Sequence, residues 1–223
     1  MNKLDKQVDA AHYDFFRYVT KARWSSIWHQ LEEVAGLLPD SVLEIGPGPG
    51  LFKKLAEIAG ISVKTLDLDS ELMPDYLGSA VDMPLISNSF DVVCAFQMLE
   101  HLPYKDSLAS FKEMTRVSRR HVVISLPDAR TLWRYHFRVP KLGGFDFFIP
   151  RPRIMSPIHE FDGEHYWEVN TRGYQLKKVL DDFSQFATLK KTFRVVDNTY
   201  HRFMIFEING NTDQGIAELD DSD

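Results

Sequence analysis

Three glycines alternate with two prolines in the stretch VLEIGPGPG, residues 42–50, behind a short apolar run and ahead of a helical pattern that starts near Leu51. Glycine lets the backbone take positive φ and lets a ligand approach the main chain closely. The first amides of the following helix then face that ligand. The spacing is not a dinucleotide fingerprint, because G-x-G-x-x-G read from Gly46 meets Leu51 and read from Gly48 meets Lys53. No G-K-[ST] occurs, so the phosphate loop of nucleotide hydrolases is excluded too. In front of the glycines stands Glu44. A carboxylate there suits an ammonium-bearing ligand better than a pyrophosphate, or it serves as a buried acid accepting backbone N–H bonds.

Further acids follow at intervals. Asp67 closes the stretch TLD about 20 residues past the glycines, where an acid can accept both hydroxyls of an adenosine ribose. Asp82 can accept from an adenine amino group, and the backbone N–H of Met83 can serve a ring nitrogen. His101, in QMLEHLP, is a candidate general base for an O or N nucleophile, or a loop histidine bonded to backbone. The stretch HEFDGEH (159–165) adds His and Glu. Three residues before Glu100 stands Gln97, however, and neutral Gln is a poor ligand beside carboxylate and imidazole, so no metal is expected.

Short apolar strands alternating with helices must position these residues. Strands are expected at 42–45, 61–66, 90–96 and 121–126, with helices at 50–59 and 104–118. Such a rhythm implies a parallel sheet covered on both faces. A further helix is expected at 171–183, then two strands at 187–196 and 201–208. The N-terminal part, 4–38, reads as helical, with Trp24, Ile27, Trp28, Leu31 and Val34 on one face, Tyr13, Phe16, Trp24 and Trp28 expected in the core, and Tyr13 and Trp24 alternatively at a substrate entrance. Residues 128–168, rich in Pro, Arg and aromatics, show no sustained period and are expected to form a lid or binding insertion. Arg130, Arg134, Arg138, Lys141, Arg151 and Arg153, interleaved with rings, would cradle an anion or pack as ordinary surface.

From Ser41 to Leu102 the sequence resembles the class I S-adenosylmethionine-dependent methyltransferases, in particular the small-molecule-type domain. The matching pieces are VLEIGPGPG, VKTLDLD, VDMPLISNSFDVVCAF and QMLEHLP. The resemblance implies an α/β, Rossmann-like fold with a seven-stranded, mostly parallel sheet in the order 3-2-1-4-5-7-6, an antiparallel last strand and helices on both faces. It implies S-adenosyl-L-methionine as cofactor. Gly46, Pro47, Gly48 and Gly50 would pass under its methionine part, and Glu44 would fix the loop and the ammonium through water. Asp67 would hold the ribose, Leu68 touch the adenine face, and Asp82 with Met83 read the adenine edge. Phe96 and Gln97 would face the sulfonium. Proline at 47 and 49 departs from the pattern and removes two N–H donors.

Composition narrows the partners. Hydrophobic residues at 44% and charged residues at 26% are those of a globular protein, not of a collagen, a coiled coil or a disordered chain. Of the net charge of −6, most sits in residues 209–223, which carry five acids and no Lys or Arg. The remaining body is nearly neutral, which gives no general reason to bind nucleic acid. The single cysteine, Cys94, sits in an apolar run and fits a reducing compartment. No segment has the length of a membrane span or the pattern of a signal peptide, so a cytoplasmic enzyme is expected. The expected organisation is a helical cap (1–40), a methyltransferase domain (41–208) with a lid at 128–168, and an acidic, disordered tail (209–223). The expected reaction is methyl transfer to an O, N or C nucleophile of a small molecule, anionic if the Arg-rich insertion cradles it. The alternatives are a nucleic-acid methyltransferase and a catalytically inactive cofactor-binding module.

Overall fold

The computed structural model describes residues 20–141, 143–152 and 155–209. Tyr13, Phe16, Arg153 and nearly all of the acidic tail, with the expectations attached to them, lie outside these residues. Helix α1 (Lys21–Gly36) opens at Thr20, whose hydroxyl accepts from the Arg23 N–H. It is followed by β1 (Val42–Ile45), α2 (Leu51–Ile58), β2 (Val63–Asp67), β3 (Tyr76–Leu77) and β4 (Phe90–Phe96). Next come α3 (Tyr104–Val117), β5 (Ser118–Pro127), β6 (Leu132–Val139) and β7 (Gly143–Pro150). The chain ends with α4 (Leu176–Phe183), β8 (Thr188–Arg194) and β9 (His201–Glu207).

Seven strands form one sheet in the order β3-β2-β1-β4-β5-β9-β8. Pairing is parallel from β3 through β5, and β9 is antiparallel to both of its neighbours. This is the expected topology, with β9 as the reversed last strand. Alternation along the central strands builds a core on each face. Leu43, Ile45, Val93, Val122, Ile124 and Met204 pack on one side against Phe111, Met114, Val179 and Phe183 of α3 and α4. Val42, Val92, Cys94, Val123 and Phe203 pack on the other side against Val34, Phe52 and Ala56 of α1 and α2.

Two expectations are corrected. Helix α1 buries Ser26, Ile27, Gln30 and Val34, whereas Trp24 and Trp28 are about half exposed and turn away from the core. Residues 128–168 are not irregular either, because β6 and β7 pair as a separate antiparallel hairpin. The alternation Trp133-Arg134-Tyr135-His136-Phe137-Arg138 is a period-two strand signal that the Arg and aromatic content hides. The hairpin leans on the β8–β9 turn through Arg134, which donates to Asp197 at 2.6 Å and to the Val196 carbonyl at 3.3 Å. The chain then returns to the body at Trp167, fully buried, with its indole N–H donating to Ser107 Oγ at 3.0 Å. Among the described residues no helix is long and apolar enough to cross a membrane.

Candidate active site

Gly46, Gly48 and Gly50 all have positive φ, at 65°, 52° and 69°. At Gly46 the need for glycine is double, because a Cβ there would lie 2.5 Å from Met98 Cγ, at the exit of β4. The loop closes with the Gly50 N–H donating to the Pro47 carbonyl at 2.9 Å. Pro47 and Pro49 bring no amide, so the amides open to a ligand come from the first turn of α2, where Leu51 and Phe52 line a crevice above the loop.

Glu44, in the middle of β1, is 4% exposed and borders that crevice, and its Oε2 has no hydrogen-bond partner. Burial pushes its carboxyl up to about 8, although the ammonium and backbone N–H of Lys53 pull the other way. An acid held short of ionisation by desolvation is poised to accept a cation. On the facing wall are Arg23, Ile27 and Gln30 of α1, and His201 of β9. Burial drives the His201 imidazole down to about 3, so the ring is neutral, and its Nδ1 also lacks a partner. Sequence reasoning missed Arg23, Gln30 and His201. They reach the crevice only because α1 folds back over α2 and β9 inserts beside β5.

The other expected residues divide. Phe96 and Gln97 end β4 on the crevice wall. Gln97 has φ of 54°, rare outside glycine, and is held by Ser125, whose carbonyl and hydroxyl accept its N–H at 3.0 Å and its side-chain amide at 3.3 Å. Asp67 ends β2, with Oδ1 accepting the Asp69 N–H at 2.8 Å, and Leu68 beside it is half exposed. The Asp82 side chain is exposed at a one-residue bridge to Ser79. Asp67, Leu68 and Asp82 do not line the crevice beneath α1; they stand along the edge of the sheet beyond it. Met83 is a correction. Its N–H donates to Glu113 Oε2 at 3.0 Å and its side chain is buried, so that amide is spent on α3 and not free for a ligand.

His101 lies in a short 3-10 turn, Leu99–His101, just past β4. Its Nδ1 is 2.9 Å from the Glu164 carbonyl, which can only accept, so Nδ1 carries the proton. Burial and the neighbouring His165 lower its pKa, which favours the neutral ring. The rings of His101 and His165 stand edge to face with centroids 5.0 Å apart. His101 therefore does not stand alone, as its sequence context suggests.

The donor set around the crevice suits a zwitterionic, cationic nucleoside. Buried Glu44, with one oxygen lacking a partner, and Arg23 both line the glycine-floored slot, and a carboxylate ends the neighbouring strand at Asp67.

A family model described as a methyltransferase domain matches residues 43–126. That segment holds the glycine loop, Asp67, Asp82 and the turn after β4. Among curated proteins no sequence matches the chain. Solved structures share its fold at low identity. One is the PH0226 protein of Pyrococcus horikoshii, with 15% identity, a TM-score of 0.59, and 90% of this chain and 99% of that one covered. The 1,6-didemethyltoxoflavin-N1-methyltransferase of Burkholderia thailandensis, solved with bound 1,6-didemethyltoxoflavin and S-adenosylhomocysteine, has 12% identity and a TM-score of 0.58, over 89% and 82%. The magnesium protoporphyrin IX methyltransferase of Synechocystis, solved with S-adenosylmethionine, has 14% identity and a TM-score of 0.54, over 92% and 88%.

Proposed function

We propose that the chain is a class I S-adenosylmethionine-dependent methyltransferase, a reading supported by the methyltransferase-domain model over residues 43–126, and that it methylates an O, N or C nucleophile of a small, anionic molecule. The observation that carries the cofactor half of this reading is the partnerless Oε2 of buried Glu44 beside the glycine loop. When bound, the cofactor supplies an electrophilic methyl on a sulfonium, so the protein has to align the reactants and exclude water. Glu44 takes the ammonium of the methionyl end, Arg23 faces its carboxylate, and Asp67 holds the ribose. Leu68 covers the adenine, and Asp82 reads its amino group. Phe96 and Gln97 border the methyl.

The acceptor half rests on the insertion. Residues 20–40 act as a cap over the cofactor and 128–168 as the substrate lid. At the base of the hairpin a cleft of about 420 Å³ is lined by Arg130, Arg151, Ser156 and Asn170, donors that suit a carboxylate or phosphate. A long nucleic acid is the weaker reading. Arg134 is paired with Asp146 at 2.9 Å and with Asp197 at 2.6 Å, which breaks up the basic face that such a partner would require. The relatives named for toxoflavin and protoporphyrin substrates are in keeping with a small acceptor. His101, in the turn after β4, is the candidate general base for an O or N nucleophile.

Calorimetric titration with S-adenosylhomocysteine tests the cofactor site, with binding by the wild type and loss in Glu44→Gln as the expected result. Methyl transfer from labelled cofactor to a panel of small carboxylate- and phosphate-bearing alcohols, amines and activated carbon acids tests the acceptor class. Binding without turnover on any of them, together with turnover on RNA or DNA, would overturn it.

A further inference from the structure

The β6–β7 hairpin is amphipathic in the reverse sense of an ordinary packed ribbon. Side chains along a strand point to alternate faces. The register therefore puts the cross-strand pairs Trp133–Ile149, Tyr135–Phe147 and Phe137–Phe145 on one face, and Arg134, His136 and Arg138 with Asp146 on the other. It is the polar face that turns to the body. Arg134 reaches Asp197 and the Val196 carbonyl in the β8–β9 turn, and Leu132 and Phe148, on the same face, are partly buried. The aromatic face consequently points away from the body. Its six side chains are 39–53% exposed, and none of them belongs to either core. Phe147 stacks with Tyr135 at 5.3 Å and with Phe137 at 5.4 Å between ring centroids, so the apolar surface is continuous. Five rings of about 150–250 Å² each, roughly half open, leave on the order of 500 Å² of aromatic surface. A contiguous patch of that size is often functional.

Charge decides what such a face can meet. Between Ala129 and Pro152 a chain of net charge −6 carries five bases, Arg130, Arg134, Arg138, Lys141 and Arg151, and one acid, Asp146. Among the described residues that acid is engaged by Arg134 and His136, while Arg138, at the turn end of β6, and Lys141, in the turn, are exposed and form no ion pair. A second copy of the same face is a poor match. The open area falls short of the ~800 Å² per partner of a standard interface. Either two-fold arrangement also sets cation against cation: Arg138 and Lys141 meet their own copies when the tips coincide, and Arg130 and Arg151 when tip lies on base. We propose that the aromatic face of the hairpin docks on an anionic phospholipid bilayer surface. Rings such as Trp133 and Tyr135 settle at the headgroup level. Arg138 and Lys141 lay their apolar stems along that surface and carry their charges to the lipid phosphates. The ribbon stays in the interface, because both of its strands have an unpaired backbone edge that the hydrocarbon cannot accept. If the transferase reading above also holds, the enzyme works at a membrane surface; the docking itself does not depend on that reading.

The test is sedimentation of the full chain with vesicles of phosphatidylcholine alone and of equal parts phosphatidylcholine and phosphatidylglycerol. The expected result is binding of the wild type to the mixed vesicles, weaker binding to the neutral ones, and release as salt is raised. Phe137→Ser combined with Phe147→Ser should abolish binding. Arg138→Gln combined with Lys141→Gln should lower affinity for the mixed vesicles about 30-fold, the effect of two basic side chains near a charged surface. Ile58→Ser, which removes an 84%-exposed apolar side chain at the end of α2, should bind as the wild type does. Circular dichroism checks that each variant is folded. Should the double Phe variant fail that check, the Arg138 and Lys141 pair decides, because neither side chain supports the hairpin. Asp67→Ala keeps full vesicle binding even if S-adenosylhomocysteine no longer binds, so failure of the docking face and failure of the cofactor site read out separately. No binding of the wild type to the mixed vesicles, or equal binding by the wild type and a folded double Phe variant, overturns the proposal. So does a lipid-free dimer in light scattering that the double Phe variant turns into a monomer, which would give the face to a second copy.

Discussion

Arg202 of β9 donates through Nε to Asp128 Oδ2 at 2.7 Å, joining the strand before the insertion to the reversed strand of the sheet. Asp128 is 1% exposed and also accepts from the Asn170 side-chain amide at 2.8 Å and the Arg130 N–H at 3.0 Å, with Arg194 at 3.7 Å. Both ends of the 128–170 excursion are therefore tied to a single carboxylate. Removing it strands two largely buried guanidinium groups. Asp128→Ala is expected to lose about 3–5 kcal/mol of stability, as for other broken buried pairs. Urea denaturation measures it, and a loss below about 1 kcal/mol would mean that the carboxylate is not the tie.

Glu44 gives a pH signature for cofactor binding. Its folded pKa of about 8 is raised above its ordinary value, so the stability contributed by the neutral form is present at low pH and is lost as pH rises toward and through 8. Glu44→Gln removes that loss and makes the ligand-free protein less sensitive to pH over this window. Cofactor binding favours the ionised form. Affinity should therefore rise with pH up to about 8, by at most about tenfold per pH unit, and level off above it. Titrations at several pH values check the slope, and Glu44→Gln should flatten it.

The ribose assignment predicts a graded response. Asp67→Ala removes charge-assisted hydrogen bonds worth about 1.5–3 kcal/mol and should weaken S-adenosylhomocysteine binding about 10- to 100-fold. Asp82→Ala, at an exposed position, should cost less. Equal affinity in wild type and Asp67→Ala would show that the ribose lies elsewhere.

Acid sensitivity should concentrate at Asp91. Burial works against its ionisation, but the Arg119 guanidinium at 3.0 Å and the Asp40 and Ser41 amides at 2.9 and 3.1 Å outweigh that and lower its pKa below 3.8. With a depressed folded value, its contribution is complete above pH 3.8 and disappears as pH falls through the lowered pKa. Asp91→Asn should be less stable than wild type at neutral pH, with the gap closing in acid. A gap that stays constant down to the acid transition would rule this out.

Gly46→Ala should be harmful for a local reason. A side chain at φ of 65° costs about 1–2 kcal/mol, and its Cβ would also displace Met98. Gly36→Ala, where a Cβ meets nothing within 4 Å, is the control and should be near neutral. Melting temperatures of the two variants compare them directly.

The strands of the central sheet and the glycine loop were legible in the sequence because both are local signals. A buried parallel strand is a short apolar run, and a backbone-floored binding loop needs glycines at fixed spacing right after it. Glu44, Asp67, Phe96 and Gln97 follow from that register, because each sits at or near the carboxyl end of such a strand. The order of the strands came with the resemblance those motifs carry. What only the tertiary structure decided has no periodicity to announce it. Arg23, Gln30 and His201 line the crevice because a helix and a reversed strand, far apart in the chain, converge there. The amide of Met83 is spent because α3 happens to place Glu113 beneath it. His165 joins Glu100 and His101 because Asp128 and Trp167 bring the chain back after the hairpin. Pattern along a chain records burial and turns, while the identity of a neighbour from a distant segment depends on how closed loops pack, and that is fixed only when the whole core forms.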